Sequence, residues 1–128
     1  MSSVSPAVVS LTKTSPPRLP FGRMKDAVLG KKYSLSVVFV GNATSRHLNK
    51  TYRGKDKPAN VLSFPLSKTE GEIFMNVRQA RLDAPTFNMR ERPFLQYLFI
   101  HGLLHLKGFD HGSKMEVRER TLRKKFRF

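Results

Sequence analysis

His101, His105 and His111 fall in the stretch His-Gly-Leu-Leu-His-Leu-Lys-Gly-Phe-Asp-His, and they are three of the 4 histidines in the chain. Four-residue spacing on a helix stacks two imidazoles on one face, one turn apart, where both can reach a single ion. Gly108 permits the left-handed turn that ends such a helix, and the short run to His111 brings a third imidazole back toward the pair. Three nitrogen donors with a fourth position open to water or substrate are the ligand set of a catalytic zinc site. Another divalent transition metal would satisfy the same donors. In the competing reading His101 and His105 are core histidines bonded to backbone, and an unpaired ring on an apolar helix would cost roughly 1–3 kcal/mol. One metal ion per chain accounts better for the clustering. A purely structural zinc is disfavoured, because such sites close with a fourth ligand, usually Cys; here only His47 or a nearby carboxylate such as Asp110 could close it.

The spacing equals that of the metzincin protease helix, His-Glu-x-x-His-x-x-Gly-x-x-His, in which a glutamate stands beside the metal. Gly102 occupies that glutamate position here. Peptide hydrolysis then lacks the general base that takes a proton from water and hands it to the leaving amine. Phosphodiester cleavage is less dependent on it, since a metal ion and a neighbouring cation can meet the charge that develops on the phosphoryl group.

The elements that must hold these histidines follow from the hydrophobic pattern. From Pro93 the chain is apolar almost all round through residue 106, the pattern of a helix buried at the centre of a domain, with Pro93 in its first turn and Gly108 as its cap. A last helix from about Ser113 turns Met115, Leu122 and Phe126 inward and presents a basic outer face. Upstream, the β-branched run 4–12 reads as a strand and 19–29 as an amphipathic helix ended by Gly30. Residues 34–40 alternate and then become continuously apolar, the best strand signal in the chain. A helix capped by Asn42 or Thr44 runs to about Tyr52 and leaves Arg53 at its end; 54–58 is a loop. Residues 61–64 form a short strand cut off by Pro65, a turn covers 67–71, and 72–77 pairs back antiparallel. Residues 78–92, with Pro85 inside, read as a helical turn and loop.

Composition sets the outer limits. The 128 residues predict one domain over 1–128, and with no cysteine any metal must sit on nitrogen and oxygen. No secretory signal or membrane-spanning run is visible, and the absence of Cys suits a reducing compartment, so a cytoplasmic protein with no membrane partner is expected. The 24 Lys and Arg against 9 Asp and Glu leave a net charge of +15, more than solubility requires, and favour a polyanionic partner such as nucleic acid.

Two blocks carry a resemblance to a known family: Leu-Asn-Lys-Thr-Tyr-Arg-Gly-Lys-Asp-Lys-Pro-Ala-Asn-Val-Leu-Ser-Phe-Pro, residues 48–65, and the histidine stretch 101–111. With the strand before them and Gly71-Glu-Ile between them, the chain resembles the YbeY family of rRNA-maturation endoribonucleases over about 34–112. The resemblance implies an α+β, zincin-like domain: a small mixed sheet packed against a central buried helix that bears the metal-binding histidines. It also implies a zinc-dependent, single-strand-specific endoribonuclease. Such a protein would act in small-subunit (16S) rRNA 3′-end maturation and ribosome quality control, with single-stranded rRNA precursor and the small ribosomal subunit as partners. His101, His105 and His111 match the family's metal ligands and Arg53 its functional arginine. On residue type alone Arg53 would pair with Asp56, and Asp110 would either orient a ligand imidazole or cap a turn. Arg46, Lys50, Lys55 and Lys57 form a basic stretch suited to RNA phosphates, and the tail 118–128 adds six basic residues against one acid. Tyr52, Phe64 and Phe109 offer faces on which a base could stack, with core packing favoured for Phe64. The chain departs from the family pattern at Ala59-Asn60, where Thr-Asp is common, in the short stretch between Val77 and Pro93, and between His111 and Met115. The rival functions are hydrolysis of a peptide or amide bond by the same metal, and non-catalytic binding of ribosomal RNA with a structural metal.

Overall fold

In the computed structural model, which describes residues 3–128, the N-terminal β-branched run forms a strand at Ala7–Ser10 (β1), shorter than the expected 4–12. β1 is an edge strand, paired in parallel with Ser34–Phe39 (β2) from Ala7↔Ser36 to Ser10↔Phe39, and it extends only as far as that partner. Between them runs the helix Phe21–Leu29 (α1), which starts two residues later than expected. Leu19 precedes Pro20 and is thereby pushed out of helical conformation, but it stays buried as packing. Gly30 ends α1 as expected, and the fully buried Lys25 donates to the carbonyls of Gly30 and Lys31 at 3.2 and 3.0 Å. At Gly30 that ammonium satisfies an acceptor the helix end leaves open, and at Lys31 it shares a carbonyl that also accepts from the Val4 N–H.

The next helix, Asn42–Arg53 (α2), takes Gly41 as its N-cap, and neither Asn42 nor Thr44 caps it with a side chain. The Asn42 side chain instead accepts a 2.8 Å hydrogen bond from Asn76. Arg53 is the last residue of α2, with Gly54 in the left-handed region behind it. Val61–Pro65 (β3) and Glu70–Met75 (β4) form the expected antiparallel pair, in register from Val61↔Met75 to Pro65↔Gly71. β4 lies two residues earlier than expected. The cause is Asn76, whose side chain accepts from the Gln79 N–H and so starts a helix, Val77–Asp83 (α3), where the apolar run had suggested more strand. A 3-10 turn at Ala84–Phe87 follows. The buried helix Glu91–Lys107 (α4) carries Pro93 in its first turn and ends at Gly108, φ 107°; Ser113–Phe126 (α5) closes the described chain.

The sheet order is β1-β2-β4-β3, with β1, β2 and β4 parallel and β3 antiparallel, so the expected small mixed sheet is present. α4 lies against β3 and β4, with α1 and α5 also packed on it. Its Phe94, Phe99, Ile100, Leu103 and Leu104 are fully buried, each stabilising by about 2 kcal/mol. The approach of helix to sheet is close: a Cβ on Gly102 would stand 2.9 Å from Ser63 Oγ and 3.1 Å from Ile73 Cδ1. The Ser63 hydroxyl donates to the Gly102 carbonyl at 3.1 Å across the same contact. Among the described residues no helix is long and apolar enough to cross a membrane.

Candidate metal centre

His101 and His105 occupy successive turns of α4 on the one flank that the core leaves partly open, and His111 arrives from the turn after Gly108. That turn is held by backbone hydrogen bonds from Gly108 to His105 and from Phe109 to Leu104, and the positive φ at residue 108 is one that glycine adopts without strain. The three rings form a near-equilateral triangle, with centroids 4.6, 4.8 and 4.9 Å apart. One nitrogen from each lies within 4.8 Å of the other two.

The tautomers follow from the partners of the other ring nitrogens. His105 Nδ1 lies 3.0 Å from the Phe109 carbonyl and His101 Nδ1 lies 3.3 Å from Glu119 Oε1. A carbonyl and a carboxylate only accept, so both Nδ1 atoms carry the proton and donate it. Both Nε2 atoms then present lone pairs, and they face each other at 3.1 Å. At that distance the two nitrogens are joined either by a proton, when His101 is charged, or, when both rings are neutral, by a cation held between the two lone pairs. The separation is close to the edge of a tetrahedral zinc site, about 3.3 Å for bonds of about 2.0–2.1 Å. The donor set therefore fits a divalent ion bound by His101, His105 and His111. His47 is exposed and outside the cluster, and no fourth His, Cys, Asp or Glu joins it among the described residues.

Glu119 has no place in the sequence-derived site, yet its carboxylate fixes the His101 ring. Its side chain is only 11% exposed. Burial alone would raise its carboxyl, but the hydrogen bond and charge of His101, together with the Tyr97 hydroxyl, hold it below the usual carboxylate range. Burial, then the Glu119 charge, pushes the Tyr97 hydroxyl up to about 12. Burial, then the charges of His101 and His111, lowers His105 and favours the neutral ring that binds metal. A signal for Glu119 existed: Met115, Glu119, Leu122 and Phe126 share one helical face, so the single acid of the tail sits among its inward residues. Asp110 makes no hydrogen bond to a ligand ring among the described residues; the orienting contacts belong to Glu119 and the Phe109 carbonyl.

A cleft of about 700 Å³ opens over the triad, and Arg53, Asn60, Ser63, Phe87 and Tyr97 are among its walls. Arg53, remote in sequence, is thus brought by the end of α2 into the wall of the same cleft as the histidines. It does not pair with Asp56, which is taken by Arg46 at 2.7 Å. Among the described residues no carboxylate lines the cleft. Asn60 donates at 2.9 Å to Asp83, which also accepts from Gln79 at 3.0 Å, so the departure at Ala59-Asn60 ties the cleft wall to α3. Lys50, Lys55 and Lys57 are exposed outside the cleft on and after α2, while Arg46 is partly neutralised by its ion pair. Of the three stacking candidates, Tyr52 is exposed over Phe64, Phe64 packs edge-on to Phe74, and Phe109 packs against the core. None of them lines the cleft; Phe87 does, and sequence reasoning passed over it inside the ambiguous 78–92 stretch.

Comparison with known proteins agrees with this geometry. The family described as Endoribonuclease YbeY matches residues 22–127. The chain is 38% identical over 90 residues to Endoribonuclease YbeY of Acholeplasma laidlawii (strain PG-8A), covering 67% of this chain and 66% of that protein. It is 37% identical over 94 residues to that of Neorickettsia sennetsu (strain ATCC VR-367 / Miyayama), covering 69% and 66%. The chain thus spans about two thirds of the length of these curated relatives. The solution structure of TM1509 from Thermotoga maritima superposes with a TM-score of 0.66 at 24% identity, over 96% of this chain and 92% of that one, which establishes the shared fold.

Proposed function

The chain belongs to the YbeY family of endoribonucleases, and on that premise we propose that it is a zinc-dependent endoribonuclease that cleaves single-stranded RNA. The observation that carries the reading is the cleft itself, whose walls include Arg53 and the three histidines and, among the described residues, no carboxylate. A peptidase of this spacing needs a glutamate at position 102, and the contact of Gly102 with Ser63 and Ile73 leaves no room for one.

His101 and His105 would hold the ion through Nε2 and His111 through one ring nitrogen, with Glu119 and the Phe109 carbonyl fixing the first two rings through Nδ1. When bound, such an ion supplies Lewis acidity toward a phosphoryl oxygen and activation of the attacking water. Arg53 offers a planar pair of N–H donors to the non-bridging phosphate oxygens, where charge builds as the bond breaks. Tyr97 stays protonated at neutral pH, and its one O–H is directed to Glu119, so it steadies the carboxylate that fixes the His101 ring while its ring lines the cleft. The biological substrate in this reading is the 3′ end of 16S rRNA precursor in the cytoplasm, with ribosome quality control as the wider role. The net charge of +15 supports a ribosomal RNA partner.

The test is cleavage of matched single-stranded RNA, duplex RNA, DNA and casein by the zinc-loaded chain, beside Arg53→Ala and His105→Ala purified identically. Cleavage of single-stranded RNA alone is expected, with Arg53→Ala slowed by about 10²–10³-fold and still metal-bound. RNA cleavage that His105→Ala leaves intact would mark a contaminating nuclease or a non-catalytic RNA binder. Cleavage of casein alone would make the chain a peptidase.

A further inference from the structure

Phe87 lies at the end of the 3-10 turn and is 51% exposed, although it belongs to a cluster of otherwise covered aromatic rings. One side of the ring is braced: its centroid lies 5.0 Å from that of the fully buried Phe94, tilted by 33°, and 6.0 Å from that of Tyr97. Tyr97 in turn lies 6.1 Å from the His101 ring, so the exposed aromatic surface is two ring-to-ring steps from the metal ligands. The remaining surface of Phe87 forms part of the wall shared by Arg53 and the three histidines.

The backbone beneath it is held from both sides. Asn88 adopts the left-handed conformation, φ 55°, and returns its N–H to the carbonyls of Ala84 and Pro85. The preceding helix α3 is tied to the residue before β3 by the Asn60–Asp83 hydrogen bond, and Gln79 holds the same carboxylate from within α3. A rigid ring offers stacking area with little ordering cost on binding. An aromatic platform and a guanidinium in one cleft, with no carboxylate in its wall among the described residues, match a ligand that alternates flat bases with phosphates. An apolar peptide side chain would use the ring and leave the cation unmatched.

We propose that Phe87 is the platform of a nucleobase subsite, on which a base next to the scissile phosphate of single-stranded RNA stacks. This rests on the RNA-cleaving reading of the same cleft. It assigns Phe87 to substrate binding, so its loss acts on KM rather than on the metal. Duplex RNA, whose bases are stacked on one another, cannot use the platform without unpairing.

The experiment measures kcat and KM of the wild-type chain, Phe87→Leu and Phe87→Trp on a short single-stranded oligoribonucleotide. The same measurements are made on copies carrying an abasic ribose at each position around the cleaved bond. Leu keeps apolar bulk against Phe94 and removes the flat face; Trp restores it. KM is expected to rise about tenfold in Phe87→Leu and to recover in Phe87→Trp, with zinc content and thermal midpoint unchanged. With the abasic ribose at one position, the wild-type chain and Phe87→Leu should become equal. Equal KM values on the intact oligonucleotide, or a deficit that persists on every abasic copy, would overturn the subsite alone. Failure of the wild-type chain to cleave any RNA would remove the RNA reading and the subsite with it.

Discussion

At the scale of single residues, the metal centre depends on which nitrogen of each histidine keeps its proton. Glu119 and the Phe109 carbonyl decide this for His101 and His105, and only the first of these can be changed by substitution. Glu119→Gln keeps the shape and the possibility of a hydrogen bond but removes the charge that favours a more basic ligand ring. Zinc affinity is expected to fall by about 10–100-fold, read by competition with a chelating indicator, while the fold and the thermal midpoint of the metal-free chain stay close to the parent. Unchanged affinity would reduce Glu119 to a packing role. Histidine spacing made the ligands legible in the sequence. The orienting acid was visible as one charge on the inward face of the last helix, but its partner was not, because that depends on the packing of α5 on α4.

At the scale of elements, the seat of α4 on the sheet explains why position 102 is glycine. Gly102→Ala places a Cβ against Ser63 and Ile73, where the Ser63 hydroxyl is already committed to the residue 102 carbonyl. The gain in helix propensity, about 1 kcal/mol, does not offset such crowding, and a net loss of about 1–2 kcal/mol is expected by urea unfolding. A stabilised variant would contradict the close contact. The Asn60–Asp83 bond makes a second expectation. Asn60→Asp sets two carboxylates face to face and should cost about 1–2 kcal/mol at pH 7. Crowding raises a carboxyl pKa in the folded variant, so the folded form holds the extra proton and the deficit shrinks as pH falls toward 4. Adding Asp83→Asn should restore most of the loss at pH 7. Both contacts join segments distant in sequence, which is why periodicity found the elements but misjudged their ends at β4 and α3: Asn76 reads as strand until its capping bond to Gln79 is seen.

At the scale of the whole molecule, charge dominates. Against 24 basic side chains the described residues show three Lys or Arg ion pairs, Lys25–Asp26, Arg46–Asp56 and Arg81–Glu91. The surplus should make RNA association strongly salt-dependent. With five to seven phosphates neutralised, the plot of log affinity against log salt is expected to have a slope of about −3 to −5 for single-stranded RNA, measured by fluorescence anisotropy with a cleavage-silent variant. A slope near zero would show that the basic surface does not meet the substrate.

Residue type and spacing alone determined that three histidines converge, that a buried helix carries two of them, and that the surface is basic. Each of these follows from local periodicity or composition, which act within a few residues or without regard to position. The tertiary structure decided the rest. It placed Arg53 in the wall of the histidine cleft, freed it from Asp56, put Glu119 behind His101 and set Phe87 in the same wall. Those relations depend on how α2, the 3-10 turn and α5 pack around α4, and packing is set by long-range burial that no short window of sequence contains. Gly102 gained a structural reason in the same way: a Cβ there would stand 2.9 Å from Ser63 Oγ and 3.1 Å from Ile73 Cδ1, so a glutamate at this position could enter only by displacing β3 or β4.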